Sequence, residues 1–227
     1  MERKLLLTGD GSHTILVPDL DITYHSRHGA LQESVHVFIE AGLNYVMKGK
    51  TTPCAIFELG FGTGLNALLT CMEAHDHNRE INYTAIEPFP LERELVNQLN
   101  YAALLQRDDA ALYESLIHDA SWNGRTKIHE HFTLTKYDHT LEQMPVNGSY
   151  DLVYFDAFSP TSQPALWAQD SFEKIFAILR PGGVLTTYCS RSIVRRTMTA
   201  VGFKVEKIPG PWGKREMVRA HKPYTTG

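Results

Sequence analysis

The stretch "CAIFELGFGTGLNALLTCMEA", Cys54–Ala74, decides the fold. Its first six residues form a short apolar run, the length and character of a buried strand. Its last ten, "LNALLTCMEA", read as a helix. Between them stand Glu58, Gly60, Gly62 and Gly64, spaced E-x-G-x-G-x-G. Glycines at a strand-to-helix junction permit a tight turn and let backbone approach a ligand closely. The dinucleotide fingerprint G-x-G-x-x-G needs a third glycine where this chain has Leu65, which weakens a nicotinamide-cofactor reading.

Outward from this junction the pattern alternates. "INYTAIE", "KIHEHFTL", "YDLVYFD" and "GGVLTTYC" read as strands, with a helix over "LERELVNQLNYAALL". "SIVRRTMTAVG" reads as a helix, and "FKVEKIP" and "KREMVRA" as two closing strands. Such alternation predicts a mainly parallel, seven-stranded sheet with helices on both faces. Upstream, "KLLLT", the turn "GDGS" and "HTILVP" predict a β-hairpin. A helix over "ALQESVHVFIEAGLNYVMK" follows from the spacing of Leu31, Val35, Phe38, Ile39, Leu43 and Val46. The 227 residues thus read as a single domain, with an N-terminal extension over 1–50 and a Rossmann-like core over 51–227.

In open α/β sheets ligands gather beyond the carboxyl ends of the strands, and here those ends carry acids. Glu87 ends the second strand of the core, 23 residues after Gly64, where a carboxylate can accept hydrogen bonds from both hydroxyls of a ribose. Asp138 follows the third strand, where Asp is a favoured helix cap. Asp156 ends the most apolar strand of all, "YDLVYFD".

The charges are unevenly placed. The net charge is −4, yet residues 180–227 hold 10 Lys/Arg against 2 Asp/Glu, with 12 and 24 before them. A basic quarter on an acidic body is a local patch for a polyanion or a solvated basic surface. Three separated cysteines form neither a disulfide framework nor a zinc motif, and imply a reduced, cytoplasmic protein. No run approaches the ~20 apolar residues of a membrane span. His75-x-His77 and His129-x-His131 lack a nearby third ligand, so no metal is expected.

The form G-x-G-x-G after an acid resembles the first motif of class I S-adenosylmethionine-dependent methyltransferases. Longer blocks narrow the resemblance: "ITYHSRHGALQES", "ELGFGTGLN", "DAFSPTSQPALW" and "SIVRRTMTAVGFKVEKIPGPWGKREM" occur in this order. Together they resemble the methyltransferase domain of the MnmC family, bifunctional enzymes of the tRNA wobble uridine. The resemblance implies a class I fold with S-adenosyl-L-methionine as cofactor. It implies methylation of 5-aminomethyl-2-thiouridine to 5-methylaminomethyl-2-thiouridine in the anticodon stem-loop of tRNA.

It further implies cofactor contacts from Glu58, Gly60, Gly62, Thr63, Gly64, Asn66, Glu87, Asp138 and Asp156. Asp156 would face the transferred methyl, orient the amine and take its proton. Tyr24, Phe158, Ser159, Lys214, Arg215 and Arg195 would meet the substrate, Phe158 against an extruded base and the cations against phosphates. Family members known best continue into a flavin-dependent oxidase domain. With Gly227 as the last residue, the expectation is a stand-alone methyltransferase without oxidase activity, fed by a separate upstream tRNA-modifying enzyme. Three alternatives stay open: a methyltransferase of small amines or proteins, a spermidine-synthase-like aminopropyltransferase, and a cofactor-binding subunit without catalysis.

Overall fold

The computed structural model describes residues 2–50, 52–146 and 149–224. Three short antiparallel strands open the chain: β1 (Lys4–Leu7), β2 (His13–Val17) and β3 (Ile22–Thr23). The expected hairpin is therefore present, with one strand added. Residues 30–47 then form one continuous helix, whose middle, Val35–Asn44, widens into π-helical turns. The hairpin turn caps that helix from outside. Ser12 Oγ accepts the backbone N–H of Ala30 and Leu31, and Asp10 Oδ2 accepts that of Gln32. Donors that the helix itself cannot satisfy are thereby paired.

The main sheet holds β4 (Cys54–Leu59), β5 (Ile81–Ile86), β6 (Gly124–His129), β7 (Phe132–Tyr137), β8 (Tyr150–Phe155), β9 (Leu179–Thr187), β10 (Lys204–Pro209) and β11 (Glu216–His221). Its order is β10-β11-β9-β8-β4-β5-β7-β6. Strands β9, β8, β4, β5 and β7 are mutually parallel; β6 and β11 run against them, and β10, antiparallel to β11, again runs with them, so that β10 and β6 are the two edges. This is the class I methyltransferase plan, with eight strands where the sequence predicts seven. The extra strand comes from "KIHEHFTL", which is a hairpin turning at Glu130–His131. Ile128, Phe132 and Leu134 are all buried and keep the same alternating phase on both sides of the turn, which exposed Glu130 alone interrupts, so the turn is concealed.

The central strands are apolar because both faces are covered. Ile56, Leu152 and Tyr154 pack against Phe38, Leu43 and Leu68 on one side. Phe57, Val153 and Phe155 pack against Trp167, Phe172 and Ile175 on the other.

The helix expected over 91–105 is broken into Arg93–Val96 and Tyr101–Leu105. Asn100 explains the break. Its side chain accepts the N–H of His13 at 2.8 Å and donates to the Gly11 carbonyl at 2.8 Å. Tyr101 adds an O–H bond to the His13 carbonyl. Helical continuity is exchanged for a tether that docks the N-terminal strands on the core.

The chain runs from β4 outward to β5 and β7, then returns to lay β8 on the opposite flank of β4. That reversal opens a crevice over the carboxyl ends of β4, β5 and β8.

Candidate functional site

The glycine turn occupies the head of this crevice. Gly60, Gly62 and Gly64 all have left-handed backbone, with φ of 92°, 51° and 75°. At Gly60 space is decisive as well. A Cβ there would lie 2.6 Å from the Asp156 carbonyl oxygen, so the tips of β4 and β8 touch only because residue 60 is glycine. Gly64 starts the helix Leu65–Asp76, which brings Asn66 to the same point.

Asn66 ties two carboxylates together. It is 3% exposed, and its Nδ2 donates to Glu58 Oε1 and to Asp156 Oδ2, both at 2.9 Å. Burial pushes Asp156 up to about 7; Glu33 adds to the rise, while Asn66 and Lys214 oppose it. Burial likewise raises Glu58 well above the usual carboxylate range. Two acids share one donor, and their environments favour the protonated forms.

A cavity of about 870 Å³ opens beyond these tips. Gly60, Gly62, Thr63, Asn66, Glu87, Asp156, Tyr24 and Phe158 all line it. Glu87 accepts the N–H of Gly62 at Oε2 (3.1 Å) and that of Phe89 at Oε1 (3.0 Å). Burial raises its pKa, and those two backbone donors oppose the rise. Thr63 is held from outside the cavity. Its hydroxyl accepts from Tyr101, and a ring nitrogen of His118 bonds its carbonyl at 3.1 Å.

A second cavity, about 240 Å³, adjoins the first. Tyr24 and Phe158 line both, packed edge to face with ring centroids 5.0 Å apart. Burial pushes the Tyr24 hydroxyl up to about 12, so it stays protonated. Ser159, Tyr188, Glu33 and Lys214 line the smaller cavity. Lys214 Nζ is paired with Glu33 and sits 4.1 Å from the centre of the Tyr188 ring. The loop between the cavities is braced within itself. Phe158 N–H donates to Gln163, Trp167 Nε1 donates to the Phe158 carbonyl at 2.7 Å, and Tyr188 donates to the Ala157 carbonyl. The glutamine and tryptophan of "DAFSPTSQPALW" thus shape the loop.

Not every expected residue reaches a cavity. Glu58 is fully buried behind Asn66 and lines neither. Asp138 is exposed, bonds His139 and also lies off both walls. Gly64 shapes the turn without lining it. Arg215 is exposed outside, and Arg195 donates to the Ser190 carbonyl. Much of the basic quarter is internally committed: Lys207, Arg219 and Arg180 are ion-paired, and Lys222 bonds two carbonyls. Among the described residues, Arg191, Arg195, Arg196, Lys204 and Arg215 make no ion pair.

Arg3 and Phe89 line the large cavity without having been singled out in the sequence. Arg3 reaches across to donate to the carbonyls of Phe89 and Pro90, closing the N-terminal strands over the loop after β5. Only the docking of the extension, invisible in local pattern, reveals that role. Among the described residues no cluster of His, Cys, Asp and Glu is arranged to hold a metal, and no helix is long and apolar enough to cross a membrane.

Comparison with known proteins agrees with this geometry. Residues 118–223 match a family described as S-adenosyl-L-methionine-dependent methyltransferase. The chain resembles the tRNA 5-methylaminomethyl-2-thiouridine biosynthesis bifunctional protein MnmC of Cupriavidus metallidurans. They are 33% identical over 231 residues, covering 95% of this chain and 33% of that protein. The chain spans about a third of the length of the curated relatives it matches. Its fold is that of MNMC2 from Aquifex aeolicus, with a TM-score of 0.75 at 23% identity over 98% of this chain and 71% of the other. Spermidine synthase from Thermotoga maritima shares the fold more distantly, with a TM-score of 0.55 at 12% identity over 98% and 72% of the two chains.

Proposed function

We propose that this S-adenosyl-L-methionine-dependent methyltransferase N-methylates the 5-aminomethyl group of (2-thio)uridine at the wobble position of tRNA, giving 5-methylaminomethyl-2-thiouridine. The observation that carries the reading is the pair of cavities meeting at Tyr24 and Phe158, with Asp156 in the wall of the larger.

The large cavity fits the cofactor. Its volume lies in the range of roughly 300–1,000 Å³ typical of small-molecule sites. Glu87, Asp156, Glu92 and Glu142 line it against one arginine, Arg3, whose guanidinium is bonded to loop carbonyls. An acidic wall suits a ligand carrying a sulfonium and an ammonium, and disfavours a phosphate-bearing one. Each Glu87 oxygen accepts one backbone N–H and keeps a lone pair for a ribose hydroxyl.

Bound there, S-adenosyl-L-methionine supplies an electrophilic methyl on sulfur. The chain's own residues prepare the nucleophile. An alkylammonium cannot attack, so its proton must leave. Asp156 titrates near neutrality, where a carboxylate both orients an ammonium and accepts its proton. Asn66 fixes the Asp156 oxygen, and the braced loop 156–167 fixes Phe158 beside it. Holding reactants in line contributes as much as ~7–11 kcal/mol to such a displacement. Phe158, Tyr24 and Tyr188 offer aromatic faces and Lys214 a cation to an extruded pyrimidine. The curated relatives are named for tRNA 5-methylaminomethyl-2-thiouridine biosynthesis, which supports the polynucleotide substrate.

The test is transfer of labelled methyl from S-adenosyl-L-methionine to tRNA bearing 5-aminomethyl-2-thiouridine, followed by nucleoside analysis. The expected result is label in 5-methylaminomethyl-2-thiouridine and none in a polyamine control. Asp156→Ala abolishes turnover with cofactor affinity nearly intact. Unlabelled tRNA, or full turnover by that variant, refutes the reading.

A further inference from the structure

Trp212 is a large apolar side chain on the outside of the protein, 62% exposed. Its ring is near one other ring, that of His28, at 6.0 Å and 40°. An exposed tryptophan on a floppy loop would mean little, but this loop is built to hold it. Lys214 N–H donates to the Pro211 carbonyl at 2.8 Å, closing a tight turn. Gly210 N–H donates to the Arg215 carbonyl. Trp212 N–H donates to Gln32 Oε1 at 3.2 Å. Gly213 has φ of +84°, and a Cβ there would fall 2.2 Å from the His28 ring, so the turn is seated tightly on the segment before the first helix.

The position of the loop assigns its partner. Lys214, two residues beyond Trp212, lines the small cavity and is paired with Glu33, the neighbour of Gln32. Ser26, two residues before His28, lines the same cavity. Trp212 therefore stands at the rim of the small cavity. Arg215 is exposed and without an ion pair among the described residues, on the same loop. A rigid aromatic face next to a free cation, at the mouth of a base-sized hole, is the recognition chemistry of single-stranded RNA.

We propose that Trp212 is a stacking platform for the nucleotide adjoining the target uridine. The inference rests on the tRNA reading above. When one base is drawn from an anticodon loop into the small cavity, its neighbour loses a stacking partner. Trp212 replaces that partner while Arg215 meets the intervening phosphate. The platform acts on RNA binding alone, since Trp212 lines neither cavity.

The experiment uses the full chain and a synthetic anticodon stem-loop with 5-aminomethyl-2-thiouridine at the wobble position. Matched loops carry an abasic nucleotide immediately 5′ or 3′ of it. Loss of one base–aromatic stack weakens binding about 5- to 150-fold. Trp212→Ala is expected to raise the Kd for the stem-loop within that range, with cofactor affinity and the slope of log Kd on log salt unchanged. Arg215→Ala is expected to reduce that slope by about one contact. One abasic loop should bind the native protein as weakly as the intact loop binds Trp212→Ala, and bind the variant no more weakly still. Binding should quench tryptophan fluorescence in the native protein and not in Trp212→Phe, which retains part of the affinity.

Three outcomes overturn the platform: native affinity in Trp212→Ala, equal abasic penalties in the native and variant proteins, or unchanged quenching in Trp212→Phe. A native protein that neither binds nor methylates the intact stem-loop overturns the tRNA reading itself.

Discussion

Replacing Asp156 by asparagine separates what the carboxylate costs from what it does. Aspartate titrates ordinarily near 3.8, and burial carries Asp156 to about 7. The folded pKa is raised, so between about pH 4 and pH 7 the folded protein keeps a proton that the unfolded chain has released. Stability therefore falls as pH rises through that window, and the whole penalty is present above it. At 1.36 kcal/mol per unit, a rise of about three units sets an upper bound of ~4 kcal/mol. Asparagine keeps an oxygen for Asn66 Nδ2 and cannot ionise, so the variant escapes the penalty. It also removes a like charge beside Glu58, which adds to the gain. Asp156→Asn is thus expected to match the native protein at about pH 4 and to exceed it by ~2–4 kcal/mol at about pH 8, while losing turnover. Urea unfolding of both proteins across that range measures the difference directly. Parallel stability curves, or a variant less stable at about pH 8, refute the reasoning. The carboxylate would then be well solvated or paired, and unsuited to take a proton near neutrality.

Gly60→Ala forces a left-handed φ on an L-residue, at ~1–2 kcal/mol, and drives a methyl against the Asp156 carbonyl. A lowered Tm and loss of cofactor binding in calorimetry are expected. Asn66→Ala leaves Asp156 without its donor and lifts its pKa further, so the acid limb of the kcat/KM profile moves to higher pH. Asn100→Ala orphans the His13 N–H and the Gly11 carbonyl, at ~1–3 kcal/mol in urea unfolding. Because those bonds dock the strands that carry Tyr24 and Arg3 to the cavity, its KM for cofactor should rise as well.

The central layers of this fold are legible because burial writes them plainly. Strands covered on both faces must be apolar throughout, and a glycine turn between strand and helix has few other uses. Asp156 is legible for the same reason: an acid ending so apolar a strand needs a ligand or a partner, and here Asn66 is the partner. Misreadings arise where a non-local contact overrides a local pattern. The alternation through Lys127–Leu134 continues across a turn, since residues on both sides bury toward one face. The helical pattern over 91–105 yields to Asn100, whose partners lie almost ninety residues away. Glu58 has the right motif position but faces away from the cavity, because the helix that starts at Gly64 inserts Asn66 in front of it. Arg3 and the Lys214–Glu33 pair were hidden for the opposite reason: each joins segments that meet only after the N-terminal strands dock.

The two charge environments of the molecule fit the two halves of one reaction. Inside, acids outnumber the single arginine in the cavity wall, and burial raises Glu58, Asp156 and Glu87. Asp156, raised to about 7, is placed to take a proton from an alkylammonium near neutrality, while the acidic wall favours a sulfonium by charge alone. Outside, the cations of the C-terminal quarter that make no ion pair among the described residues lie on its helix Ser192–Val201, on the loops and at the start of β10, apart from the ion pairs that join β10 to β11. In the proposed reaction the acidic interior would repel a polyanion, so the phosphates of tRNA would remain on the outer surface. Only one uncharged base, with its amine, would enter the smaller cavity. Tyr24 and Phe158 line both cavities, and Tyr24 comes from the N-terminal extension. The extension is therefore part of the site: without it the Rossmann-like core would keep Asp156 but lose one side of the passage that leads a base to it.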